Sequence, residues 1–343
     1  MMLDLSGVQR VDCHVHYQPT GFEQPRRAGP AGGLLGSPDS AMRPGWTNLG
    51  ELRKVMDSTG VDLGVILAFP HHATPFRSAD ESVVEVIARY NRAMSEDLAA
   101  RGEGRFVATA TVDPLTGADG VAQLERDLAL PHMRGIALLT NYGDITLDDP
   151  RFEPIFALAG SFNVPCTVHP GSAWPSWRDA ARLGESSFLQ AGLGYFLADA
   201  LCIFHMTHAG VFDRFSDVRF LFCQLGGAAA ICCGRWHFHA SQARSQAVEM
   251  GQDLPNWARS ELTDILSHVW LDSHTQDRHA LRLVLEEAGP RSIVLGSDYP
   301  VSAPDLGMEY VQSELDALDL PSETRRRIER ENAFDLLGFP DVH

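Results

Sequence analysis

Short apolar runs rich in β-branched residues recur eight times along this chain, each ended by turn residues. They are VQRVDCHVH (8–16), VDLGVILAF (61–69), RFVATATV (105–112), MRGIALLT (133–140), VPCTVH (164–169), VRFLFCQL (218–225), HVWLDS (268–273) and RSIVLGS (291–297). Between them, apolar positions recur every three or four residues, the spacing of a helix that buries one stripe. Such segments span 80–102, 117–130, 149–162, 277–289 and 323–338; in the last, Ile328, Phe334 and Leu337 share a face and leave the arginines in water. Strand alternating with helix predicts a (β/α)8 barrel, of the TIM type, in preference to an open doubly wound sheet, as one domain over 1–343. Residues 21–46 break the rhythm. Six glycines and four prolines make them an insertion after the first strand, either a disordered surface loop or, because loops at that end of a barrel surround the active site, a lid over it.

Composition narrows the chemistry. The formal charge of −17, with no basic run longer than Arg325-Arg326-Arg327, argues against nucleic acid or an anionic membrane as partner. No apolar run reaches the length of a membrane span, and the N-terminus lacks the pattern of a secretion signal. The six cysteines (13, 166, 202, 223, 232 and 233) lack paired metal spacing, and the adjacent Cys232-Cys233 cannot form a relaxed disulfide. Reduced thiols in a cytoplasmic protein are the expectation. Lys54 is the only lysine, so a Walker-type phosphate loop is excluded and a Schiff-base mechanism would have to use that one residue.

The active site of such a barrel lies at the C-terminal ends of its strands. Strand 1 ends in His14 and His16, which share a face at i and i+2; strand 5 ends in His169 and strand 8 in Asp298. Each alone has an ordinary structural explanation, but together three imidazoles and a carboxylate form a ligand set for zinc or a similar divalent ion. The HMTH sequence (205–208) has ligand spacing too, but it closes the helix before strand 6 and so falls at the opposite end of the barrel.

At this point the residues resemble the amidohydrolase family typified by aminocarboxymuconate semialdehyde decarboxylase, and within it the 6-methylsalicylate decarboxylase-like branch. The resemblance rests on DCHVH (12–16), on the block 135–171, on GVFDRFSDVRFLF (210–222), on VLGSDYP (294–300) and on ENAFDLLGF (331–339). It implies a single divalent ion, zinc first and manganese second, on His14, His16, His169 and Asp298. The carboxylated lysine of two-metal relatives is absent, the sequence there being Thr140-Asn141-Tyr142. It also implies a carboxylic acid substrate and a homodimer.

Two departures stand out. Where the family has its strand-6 acid/base histidine, this chain has Gln224, whose neutral amide orients groups but exchanges no proton near neutral pH. Asp298, His274, His71 and His72 are the candidates to replace it. Where some relatives carry a substrate-anchoring arginine, this chain has Leu52; Arg235 matches an arginine that relatives contribute across a dimer interface. Arg178, Asn141, Trp174 and Trp177 complete the substrate-lining candidates. The leading expectation is a metal-dependent, non-oxidative decarboxylase of a small aromatic or unsaturated acid. The rivals are a hydrolase or hydratase using metal-bound water with Asp298 as proton shuttle, and a non-catalytic binder of a small ligand.

Overall fold

The structure is a computed structural model that describes residues 5–23, 44–171, 190–274, 276–303 and 305–340. Most of the expected lid, together with Trp174, Trp177 and Arg178, lies outside the described residues.

All eight expected strands form, and they lie parallel in one sheet. In chain order they are β1 (Val11–His16), β2 (Leu63–Leu67), β3 (Phe106–Thr111), β4 (Met133–Leu139), β7 (Cys166–His169), β8 (Phe220–Phe222), β9 (Trp270–Asp272) and β10 (Ile293–Val294). A short antiparallel hairpin, β5 (Asn141–Tyr142) with β6 (Ile145–Thr146), follows β4. No regular ladder joins β10 to β1, but the barrel closes there through single bonds. Cys13 N–H donates to Leu295 O, His16 N–H to Tyr299 O and Asp298 N–H to His14 O, each at 2.8 Å.

In chain order the helices include α1 (Leu49–Thr59), α2 (Val83–Arg101), α3 (Gly117–Leu128), α4 (Glu153–Phe162), α5 (Tyr195–His208), α6 (Cys233–Met250), α7 (Leu262–His268), α8 (Arg278–Glu287) and α9 (Met308–Asp316); α2, α3, α4 and α8 are the expected segments 80–102, 117–130, 149–162 and 277–289. Local chemistry sets their ends. The Asn48 side chain accepts from the Gly50 and Glu51 amides to start α1, and Ser82 with Glu85 makes a reciprocal capping box on α2. The segment 323–338 is less regular than its periodicity predicts, with a π turn (Arg327–Glu331) between two short helices.

Two apolar cores follow from the strand alternation. Leu63, Val65, Leu67, Val107, Ala137, Leu221 and Val294 point into the barrel, while Ile66, Ala108, Ile136, Phe220 and Ile293 point out against the helices. Leu5, Val8, Phe334, Leu336 and Leu337 pack with the inner set.

Strand β1 breaks this alternation. Asp12 pairs with Gly64 but Val15 pairs with Ile66, so β1 carries one residue more than β2 over the same stretch. Val11 and Cys13 belong to the inner core, whereas Val15 packs with the outer one. A bulge of this kind re-aims the side chains beyond it. Uninterrupted alternation would send His14 and His16 outward with Asp12; the extra residue lets them share the mouth of the barrel.

Candidate metal centre

The four expected ligands converge. One donor atom from each of His14, His16, His169 and Asp298 lies within 4.8 Å of every other. His16 Nε2 stands 2.7 Å from Asp298 Oδ1, His14 Nε2 3.3 Å from the same oxygen, and the two Nε2 atoms are 3.2 Å apart. The His169 ring sits nearly perpendicular to both, its centroid 5.3 Å from that of His14 and 5.6 Å from that of His16. Asp298 holds this pose in the left-handed region, at φ 55°.

Neighbouring groups turn the right nitrogens inward. His14 Nδ1 is 2.7 Å from Asp272 Oδ2, and His169 Nδ1 is 2.9 Å from the Pro170 carbonyl. With Nδ1–H donated in each case, Nε2 is the nitrogen turned toward the other donors, the arrangement that orients metal-binding histidines. Lone pairs and a carboxylate crowded this closely, in a buried setting, call for a cation between them. The donor set of three imidazoles and one carboxylate fits a single zinc or manganese ion.

The electrostatics agree. Burial disfavours the imidazolium of His14, but the Cys223 sulfur and the Asp272 and Asp298 carboxylates outweigh it and hold its pKa well above the usual histidine value. Burial, reinforced by the neighbouring histidines, pushes His169 well below it. Burial likewise lowers His16, against the pull of Asp298. For Asp298, burial acts upward, yet His274, His14 and His16 hold the carboxyl well below its ordinary range.

Sequence reasoning missed three acids. Asp272, at the end of β9, accepts from the Gln224 amide at 2.8 Å and the His274 amide at 3.1 Å, besides holding His14. Its position between Leu271 and Ser273, two residues before His274, resembles an ordinary strand end. Asp12 accepts from the His14 amide at 3.1 Å and the Ser297 amide at 3.0 Å, tying β1 to the segment after β10; burial raises its carboxyl to about 6. A third acid, Asp199 on α5, is fully buried with neither oxygen partnered, and burial, aided by the charge of Asp272, pushes its carboxyl well up.

The remaining candidates divide by place. His274 Nε2 lies 3.3 Å from Asp298 Oδ2, on the oxygen turned away from His16. His72 is buried, with its ring 6.3 Å from that of His16, whereas His71 is exposed and stacked on Phe69. Gln224 follows β8 at φ 52°, and Leu225 next to it is also left-handed. Asn141 is buried beside the mouth, where its carbonyl packs against Gly171, two residues past His169. Leu52 is a core residue of α1. Lys54 is exposed and paired with Glu51. All six cysteines are free.

Arg235 is not at this chain's own mouth. It is exposed on α6 and, with His205, His208, Trp236 and Trp257, lines an outer groove of about 550 Å³ between α5 and α6. Apolar Ile231 and Phe238 are exposed near it. No helix among the described residues is long and apolar enough to cross a membrane.

An eight-stranded parallel barrel with histidines on its first and fifth strands and an aspartate after its last defines the amidohydrolase class. The chain belongs to that family, whose model matches residues 11–339. It is 23% identical to 2-amino-3-carboxymuconate-6-semialdehyde decarboxylase of Dictyostelium discoideum, over 74% of this chain and 67% of that protein. Among solved structures it is similar to 2,6-dihydroxybenzoate decarboxylase from Rhizobium, with a TM-score of 0.76 and 17% identity, covering 96% of this chain and 99% of that one. It is similar also to 5-carboxyvanillate decarboxylase from Novosphingobium aromaticivorans, crystallised with manganese and a nitrobenzoic acid. There the TM-score is 0.74 at 18% identity, over 99% of this chain and 100% of that one.

Proposed function

We propose that this protein is a mononuclear metal-dependent decarboxylase of a small aromatic or unsaturated carboxylic acid. The observation that carries the reading is the convergence of His14, His16, His169 and Asp298, with the second oxygen of Asp298 engaged by His274. The named activities of the relatives support it, and the manganese in one of them makes manganese, ahead of zinc, the ion to load first.

His14, His16, His169 and Asp298 would hold the ion. When bound, it supplies a Lewis acid that anchors the substrate carboxylate and draws off charge. The chain must then deliver one proton to the carbon that loses carbon dioxide. The C–C bond breaks, its electron pair stays on that carbon, and the proton takes the place of the carboxylate.

Gln224 cannot give that proton. Burial keeps His274 neutral at neutral pH, so it relays a proton through its contact with Asp298 instead of storing one. His71, exposed at the rim, has a peripheral role at most. His72 and Asn141 line the substrate. Arg235 serves a neighbouring copy in a homodimer joined through the groove between α5 and α6.

The test is carbon dioxide release from salicylate-type and muconate-type acids by manganese-loaded protein, lost in His169→Ala. No turnover of either class counts against the proposal. Gln224 in place of a histidine favours one other reading, hydrolysis by an activated water, and oxygen-18 from solvent in the product would establish it instead.

A further inference from the structure

The mouth has one aromatic element that the proposed chemistry does not use. Residues Pro44–Trp46 form a single 3-10 turn at the end of the inserted segment, just before α1. Its Trp46 carbonyl accepts from the Gln18 amide at 2.7 Å, two residues beyond His16. Gly45 packs so closely on Tyr299, the residue after Asp298, that a Cβ there would lie 2.5 Å from the tyrosine ring. The turn is thus pinned to two of the three strand ends that carry ligands.

This places the indole with unusual definition. Trp46 lies nearly parallel to His16, at 5.7 Å between centroids and 24° between planes. His72 stands perpendicular to both rings, 6.3 Å from each. Trp46 itself is half-buried at the mouth. Two nearly parallel rings and one upright ring make an aromatic corner beside a ligand of the metal centre, the kind of surface on which a further planar ring packs.

We infer that Trp46 is a specificity-determining residue that selects a planar aromatic ring over a flexible unsaturated chain. The inference rests on the decarboxylase reading and narrows its substrate class. Tryptophan suits this role because its large surface is rigid and loses little freedom on contact.

The test is calorimetric titration of manganese-loaded protein with two probes, salicylate and cis,cis-muconate. Trp46→Ala is expected to weaken salicylate about 3- to 10-fold, the range of one lost ring stack. Muconate affinity should stay within about twofold of wild type, with bound manganese unchanged. Trp46→Phe should recover most of the salicylate affinity. Gly45→Ala, which drives the turn off Tyr299 with the indole intact, should reproduce the selective loss. Unchanged salicylate binding, equal losses for both acids, or loss of manganese in Trp46→Ala overturns the assignment. Wild-type protein that takes up manganese but binds neither acid refutes the decarboxylase reading first, and the assignment with it.

Discussion

Replacing Asp272 by asparagine isolates what holds the metal centre together. Asp272 Oδ2 receives His14 Nδ1 at 2.7 Å, while Oδ1 takes the Gln224 and His274 amides at 2.8 and 3.1 Å. Asparagine keeps one oxygen for the two amides and turns an NH2 toward His14. Donor then faces donor, unless His14 moves its proton to Nε2 and gives up the lone pair that ligation needs. Loss of such an outer partner costs about 10- to 100-fold in metal affinity, or about 1.4–2.8 kcal/mol. Asp272→Ala should be worse, because three buried N–H groups lose their acceptor at about 1–3 kcal/mol each as an upper range. Manganese competition against a chromophoric chelator measures the first effect, and urea unfolding of metal-free protein the second. Affinity of Asp272→Asn within about threefold of wild type would falsify the orienting role.

Other outcomes follow from the same geometry. His274→Ala should keep its metal and lower kcat by about 100- to 10,000-fold, checked by carbon dioxide release alongside metal analysis. Because the pKa of His14 is raised, the metal-free fold carries a proton there at neutral pH, so its contribution to stability is full below the ordinary histidine value and fades as pH rises through the raised one. Manganese must displace that proton. Uptake at neutral pH should release about one proton per ion and tighten as pH rises, as seen by calorimetry in buffers of different ionisation heat; zero release contradicts this. Asp199 titrates upward as well, so its neutral form stabilises the fold most at low pH and that benefit drains away as pH rises toward its raised pKa. Asp199→Asn should therefore raise stability at pH 8 by about 1–3 kcal/mol, and by less at pH 5, in urea melts.

The barrel was legible because each strand is a short apolar run at a regular distance from the next, and every expected strand forms. The four candidate ligands were legible as a group because they stand at strand ends, and the fold brings them together. What escaped the sequence depends on contacts that no local pattern encodes. The bulge in β1 appears only in the pairing of Val15 with Ile66. Asp272 acquires its role from His14, which is 258 residues away. Asp199 hides in an apolar helix, and Trp46 sits at the edge of a glycine- and proline-rich stretch whose composition signals only a loop. Arg235 was found by resemblance, and the structure adds that it faces the outside of its own barrel.

The seam where β10 meets β1 has a consequence for how the molecule is held shut. Few backbone bonds bridge it, yet His14 and His16 stand on one bank and Asp298 on the other. An ion gripping all three would act as a buckle joining the first stave to the last, across nearly the whole length of the chain. Stripping it should loosen that one junction before any other. Amide exchange would then quicken at Cys13, His16 and Asp298 while the β2–β3–β4 wall stays protected.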